Sequence, residues 1–161
     1  IPLIFGVGTA MTAIVGANVG AKNIKRAEKV GISGGLSAGF ISAFIGVMLA
    51  LFPDLWIGFF TDDPKAYLVT KKYIQIVGPF YIFQGIGLSL YFASQGANAM
   101  LWPIIATIAR FAIAGIGGGI SIYWFSLGIE SIFLSSSLAM AVFGLMIFLS
   151  IKFGAWRKKV N

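Results

Sequence analysis

The sequence predicts an all-α protein that crosses a lipid bilayer five times. Composition points there first. Hydrophobic residues make up 58% of the 161-residue chain and charged residues 11%, against roughly 45–50% and about 25% in a soluble domain. With a mean hydropathy of +0.93, such a chain has too few polar groups to cover its apolar surface, so its solvent is largely lipid. Next come the uncharged runs: they recur at about 20 residues or more, the length a helix rising ~1.5 Å per residue needs to cross a ~30 Å core. The basic residues, lastly, gather in short clusters between those runs, which is how membrane topology is written.

Residues 1–21 carry no charge and predict the first span. No charged segment precedes this apolar run, so it reads as a helix and not as a signal peptide. A chain that opens at once on a span is expected to be part of a longer polypeptide. Lys22, Lys25, Arg26, Glu28 and Lys29 then predict a charged loop, and 30–53 the second span. A polar stretch over 54–72 holds Trp56, Asp62, Asp63, Pro64 and Lys65. The uncharged run from Tyr73 to Ala109 is too long for one crossing. It breaks at Ser94-Gln95-Gly96-Ala97-Asn98-Ala99, and Pro103 suits the first turn of the next helix. That gives spans over 73–93 and 102–124. The fifth, 130–152, ends in Lys152, Arg157, Lys158 and Lys159. Excess Lys and Arg place the 22–29 loop and the C-terminus in the cytoplasm, with the first helix entering from outside.

Several function classes fall away. There is no Cys and no His, which removes disulfide scaffolds, thiolate chemistry, haem ligation and nearly all zinc sites. A net charge of +7 and a pI near 9.9 would fit nucleic acid, but the basic clusters sit between spans and serve topology. Gly6-Val7-Gly8 and Gly117-Gly118-Gly119 lack the preceding strand or the Gly-Lys-Ser/Thr context of nucleotide loops. No nucleophile–base pair, acid pair or metal cluster stands out, so neither an enzyme nor a cofactor is expected.

Helix faces carry the rest. Gly16 and Gly20, then Gly31, Gly35, Gly39, Ser42 and Gly46, then Gly115 and Gly119, form small-residue stripes that let helices pack closely in lipid. On the third span Tyr81, Gln84, Leu88 and Tyr91 share one face, and Pro79 should kink the helix. That face is either the wall of a cavity or a set of contacts to neighbouring helices. Thr9, Thr12 and Asn18 are the polar members of the first span; threonine hydroxyls commonly bond back to their own helix. Arg110 is the lone basic residue inside a predicted span. It can snorkel to the cytoplasmic surface or serve a cytoplasmic vestibule. No Asp or Glu lies deep in any span, although a cation-coupled transporter needs such a carboxylate.

The run Gly8-Thr9-Ala10-Met11-Thr12-Ala13-Ile14-Val15-Gly16-Ala17-Asn18-Val19-Gly20-Ala21 resembles the eighth helix of multidrug and toxic compound extrusion (MATE) transporters. Gln95-Gly96-Ala97-Asn98-Ala99-Met100-Leu101-Trp102-Pro103, continuing to Arg110, is similar to that family's loop between helices ten and eleven. Phe59-Phe60-Thr61-Asp62-Asp63-Pro64 resembles its external loop before helix ten. The resemblance implies helices eight to twelve of a twelve-helix, two-lobe transporter of the cell membrane, whose other partner is the N-terminal lobe. It implies export of amphipathic or cationic drugs and toxic compounds by proton or sodium antiport as the lobes rock. Thr9, Met11, Thr12, Phe80, Tyr81, Gln84 and Tyr91 become the candidates for the substrate cleft, and Arg110 the candidate for the cytoplasmic vestibule. One branch of the family carries a cation-binding Asp on helix ten where Gln84 stands here. Coupling would then fall to acids of the N-terminal lobe. Two other readings remain: a lipid-linked oligosaccharide flippase of the same architecture, and a non-transporting membrane scaffold.

Overall fold

A computed structural model describes residues 2–123 and 128–157. Ile1, the end of the fourth span at residue 124, the loop residues 125–127, and Lys158 and Lys159 lie outside the described residues. The described residues form five helices: α1 (Pro2–Gly20), α2 (Ile24–Leu51), α3 (Pro64–Gly96), α4 (Leu101–Tyr123) and α5 (Glu130–Lys152). Helices α2 to α5 are each long and apolar enough to cross a bilayer, and α1 is a shorter apolar helix. The protein is therefore an all-α, multi-pass membrane protein.

Two helices begin well before the uncharged runs do, because capping sets a helix start and hydropathy does not. Asn23 accepts a hydrogen bond from the Arg26 amide (3.2 Å), so Lys25, Arg26, Glu28 and Lys29 lie on the first turns of α2 instead of in a loop. Asp63 likewise accepts from the Lys65 amide (3.0 Å), and Pro64 takes the first helical position. Helix α3 thus rises out of the stretch that reads as polar loop. Around Pro79 it tightens into a 3₁₀ turn, Gly78–Phe80, where proline offers no amide to the ladder.

Three chain reversals at the basic end share one device. In each, a left-handed residue follows the helix and the next amide reaches back five residues. The residues are Lys22 (φ 57°), Asn98 (φ 52°) and Gly154 (φ 84°). The backward bonds are Asn23 to Asn18, Ala99 to Ser94 and Ala155 to Ser150, each 2.9–3.0 Å. Asn98 therefore makes the break between α3 and α4 that its small, polar surroundings announce.

Helix α3 is the centre of the bundle, packed against α1, α2 and α5. The small residues of α2 form its seam with α3: Gly35 lies under Leu90, Gly39 beside Ile86, and Gly46 against the backbone of Gly78. Gly96 meets the backbone of Thr12 on α1 in the same way. Gly115 and Gly119, by contrast, have open space around them, so that stripe packs against nothing here. Helix α4 instead widens to a π-turn over Ile113–Gly117. At the basic end, Trp156 is 1% exposed and lies against Gly31, with its indole N–H donated to Ser94 Oγ (3.3 Å). Beside it Arg157 grips Glu28 through Nε and Nη2 (2.5–3.0 Å), which holds the guanidinium above its ordinary pKa.

Candidate functional site

A cavity of about 460 Å³ opens among all five helices. Ile4 and Val7 of α1 and Ala38, Ile41, Ile45 and Leu49 of α2 make its apolar wall. Tyr73, Tyr81 and Gln84 of α3 and Arg110 of α4 bring polar groups to it, Ser42 adds a hydroxyl on α2, and Met140 of α5 completes the lining. The lining runs from the middle of the bundle toward the end that carries the 52–63 connection. Tyr73, Tyr81 and Gln84 are eight and three residues apart, which brings them to one side of α3.

The polar groups differ in how far they are already satisfied. Ser42 Oγ donates to the Ala38 carbonyl (2.7 Å) and is used up within its own helix. Gln84 Oε1 is buried with no hydrogen-bond partner. The Arg110 guanidinium stacks on the Phe143 ring, 5.3 Å from its centroid. Among the described residues Arg110 has no ion pair. Nor do these residues contain a group of three His, Cys, Asp or Glu able to hold a metal. An amide, two phenols and a guanidinium against an apolar wall can bind and orient a ligand.

The structure gathers some of the sequence candidates and separates others. Tyr81, Gln84 and Arg110 meet on the cavity. Tyr91 does not: ten residues beyond Tyr81, about 15 Å along the helix, it packs edge-on against Phe92 (6.2 Å). Phe80 lies beside Phe83 at the 3₁₀ turn, Met11 is buried in the core against Gly34, and Thr9 bonds to its own helix at Gly6 (3.0 Å). Thr12 ties α1 to α3 by donating to the Phe92 carbonyl (2.9 Å). Arg110, the vestibule candidate, lines this cavity together with Tyr73. Tyr73, the α2 wall, Ile4 and Val7 of α1 and Met140 of α5 line the cavity without standing out in the sequence. Tyr73 stands eight residues before Tyr81, a spacing that the face through Tyr81 and Gln84 could have been extended to include.

The sequence model of a family described as MatE matches residues 1–120. The chain belongs to the MatE family. A probable multidrug resistance protein NorM of Thermotoga maritima is 27% identical over 96% of this chain and 34% of its own length. One of the same name from Oceanobacillus iheyensis is 30% identical, over 70% of this chain and 25% of its own. The probable multidrug resistance protein YpnP of Bacillus subtilis is 27% identical over 93% of this chain and 34% of its own. The chain therefore spans a quarter to a third of the length of these relatives. No solved structure matches it. In this MatE-family chain the cavity is bounded by all five helices, and its polar corner is built from α3 and α4.

Proposed function

We propose that this chain supplies helices eight to twelve of a twelve-helix exporter of amphipathic organic compounds, and that the cavity is its share of the binding cleft. The observation that carries this reading is the cavity itself: a drug-sized, mostly apolar space with a few convergent polar groups is the usual form of a small-molecule site. MatE membership and relatives named for multidrug resistance support efflux as the activity. The complete protein would sit in the cell membrane with this chain's C-terminus in the cytoplasm, where the positive-inside rule sends its basic end. Lobe rocking would be driven by proton or sodium entry. Among the described residues the cavity wall contains no carboxylate, so we assign the coupling ion to acids of the other lobe. An oligosaccharide flippase is the weaker alternative, because its strongly charged cargo calls for a basic cavity and this one holds a single guanidinium.

The test is efflux. Cells that carry the complete protein should extrude fluorescent amphipathic dyes, and extrusion should collapse with a protonophore or on sodium removal. Dye accumulation equal to that of cells lacking the protein, with the protein shown to be in the membrane, would leave a non-transporting scaffold as the reading.

A further inference from the structure

We propose that Arg110, with Tyr73, Tyr81 and Gln84, forms an anion subsite that takes the carboxylate or phosphate of an amphipathic ligand, whose apolar body lies on the α2 wall. The carboxylate-bearing ligand becomes cargo only if the exporter reading holds; its binding does not depend on that reading.

A guanidinium stays protonated at any physiological pH, and a cation at membrane depth needs a counter-charge or a strong dipole beside it. Arg110 has the ring of Phe143, which compensates only part of that charge. The chain's own carboxylates are engaged elsewhere. Glu28 holds Arg157, Asp54 holds Lys71 and Glu130 holds Lys72. Asp63 caps α3, and Asp62 is exposed on the connection before it. Neither acid lines the cavity. The counter-ion that Arg110 lacks is therefore one that a ligand can bring.

The planar fork of a guanidinium matches two oxygens of a carboxylate or phosphate, and the phenols of Tyr73 and Tyr81 add O–H donors on the same wall. Gln84 Oε1, buried and unpartnered, supplies the complementary acceptor for an N–H or O–H next to the anion. The preferred ligand combines an anionic group, a neighbouring donor and an aromatic or aliphatic body. A permanent cation would meet Arg110 with no carboxylate to offset it. This subsite thus selects against the cationic cargo that the family resemblance implies.

The anion can belong to an amphipathic solute or to an anionic lipid, and one experiment separates the two. The complete protein in phosphatidylcholine nanodiscs is titrated with dansylglycine and with dansylglycinamide, which share the aromatic body and the sulfonamide N–H but differ in the carboxylate. The acid should bind at least ~10-fold more tightly, the ratio that one hydrogen-bonded contact to a charged group supplies. Arg110→Gln should bring the ratio to about one, and Arg110→Lys should keep part of it, because the charge remains while the fork is lost. If Arg110→Gln does not accumulate, Tyr73→Phe takes its place and should lower the ratio. Nanodiscs rich in phosphatidylglycerol identify the source. Arg110-dependent loss of dansylglycine affinity there makes a lipid phosphate the occupant; unchanged affinity makes it a solute.

A wild-type ratio near one overturns the subsite, and is also what a counter-ion from the rest of the protein would produce. A ratio unchanged in both Arg110→Gln and Arg110→Lys, or in Tyr73→Phe where that variant is used, overturns it too. The two readings fail separately: Arg110-dependent binding without dye efflux removes the exporter, and dye efflux without acid preference removes the subsite.

Discussion

Gln84 is the residue whose two possible roles have opposite signatures. A buried amide oxygen without a partner carries a desolvation penalty of about 1–3 kcal/mol. Gln84→Leu removes that penalty, so thermal stability of the complete protein should hold or rise while export of hydrogen-bonding substrates falls. Loss of stability and abundance together would mark Gln84 as a packing residue. Its place in the site was legible because a polar side chain inside a span is costly and so draws attention. Arg110 was legible only in part. Its distance from the helix start allows snorkelling, and nothing along the chain reveals that Phe143, from a helix more than thirty residues later, offers its ring face.

Among elements, the seam between α2 and α3 is decided by glycine. A methyl group added at Gly46 would strike the Gly78 backbone, which cannot rotate aside as a side chain can. Gly46→Ala should cost about 1–3 kcal/mol through forced separation of the helices, read as a lower melting temperature. Gly115→Ala, facing open space, should leave it unchanged or raise it, because alanine is favoured over glycine in a helix by roughly 0.5–1 kcal/mol. Equal effects at the two positions would refute the seam. The 52–63 connection makes a different prediction. Asp54 is held below the usual carboxylate range first by its hydrogen bond from Lys71, then by that from Tyr67. A carboxylate whose folded pKa is depressed contributes above its unfolded value of about 3.9 and loses that contribution as pH falls through the folded one. Proteolysis of the connection should therefore quicken below about pH 4, and Asp54→Asn should quicken it already at pH 7. Cleavage that does not depend on pH or on Asp54 would show that the contact does not hold the connection.

The whole molecule is closed at its basic end by residues that follow the last span. Trp156 fills the space over Gly31 and reaches Ser94, while Arg157 grips Glu28. Trp156→Ala would leave a large hole between α2, α3 and the chain end, at a cost of about 3 kcal/mol. Lower abundance and a reduced melting temperature should follow. An unchanged melting temperature would show that the chain end is not part of the folded core. Only a short basic cluster hints at this closure in the sequence, since a Trp near a membrane surface reads equally well as an interfacial anchor.

Composition and charge placement determined on their own that this is a helical membrane protein, because the bilayer imposes length and hydropathy on each span independently of its neighbours. Local pattern also announced the break at Asn98 and the small-residue face of α2, both backbone matters of short range. The tertiary structure alone decided that Tyr73, Gln84 and Arg110 share one cavity and that Tyr91, Met11, Thr9 and Thr12 lie outside its lining. The reason is physical. A side chain's fate inside a bundle depends on which surface stands opposite, and that surface comes from residues far away along the chain.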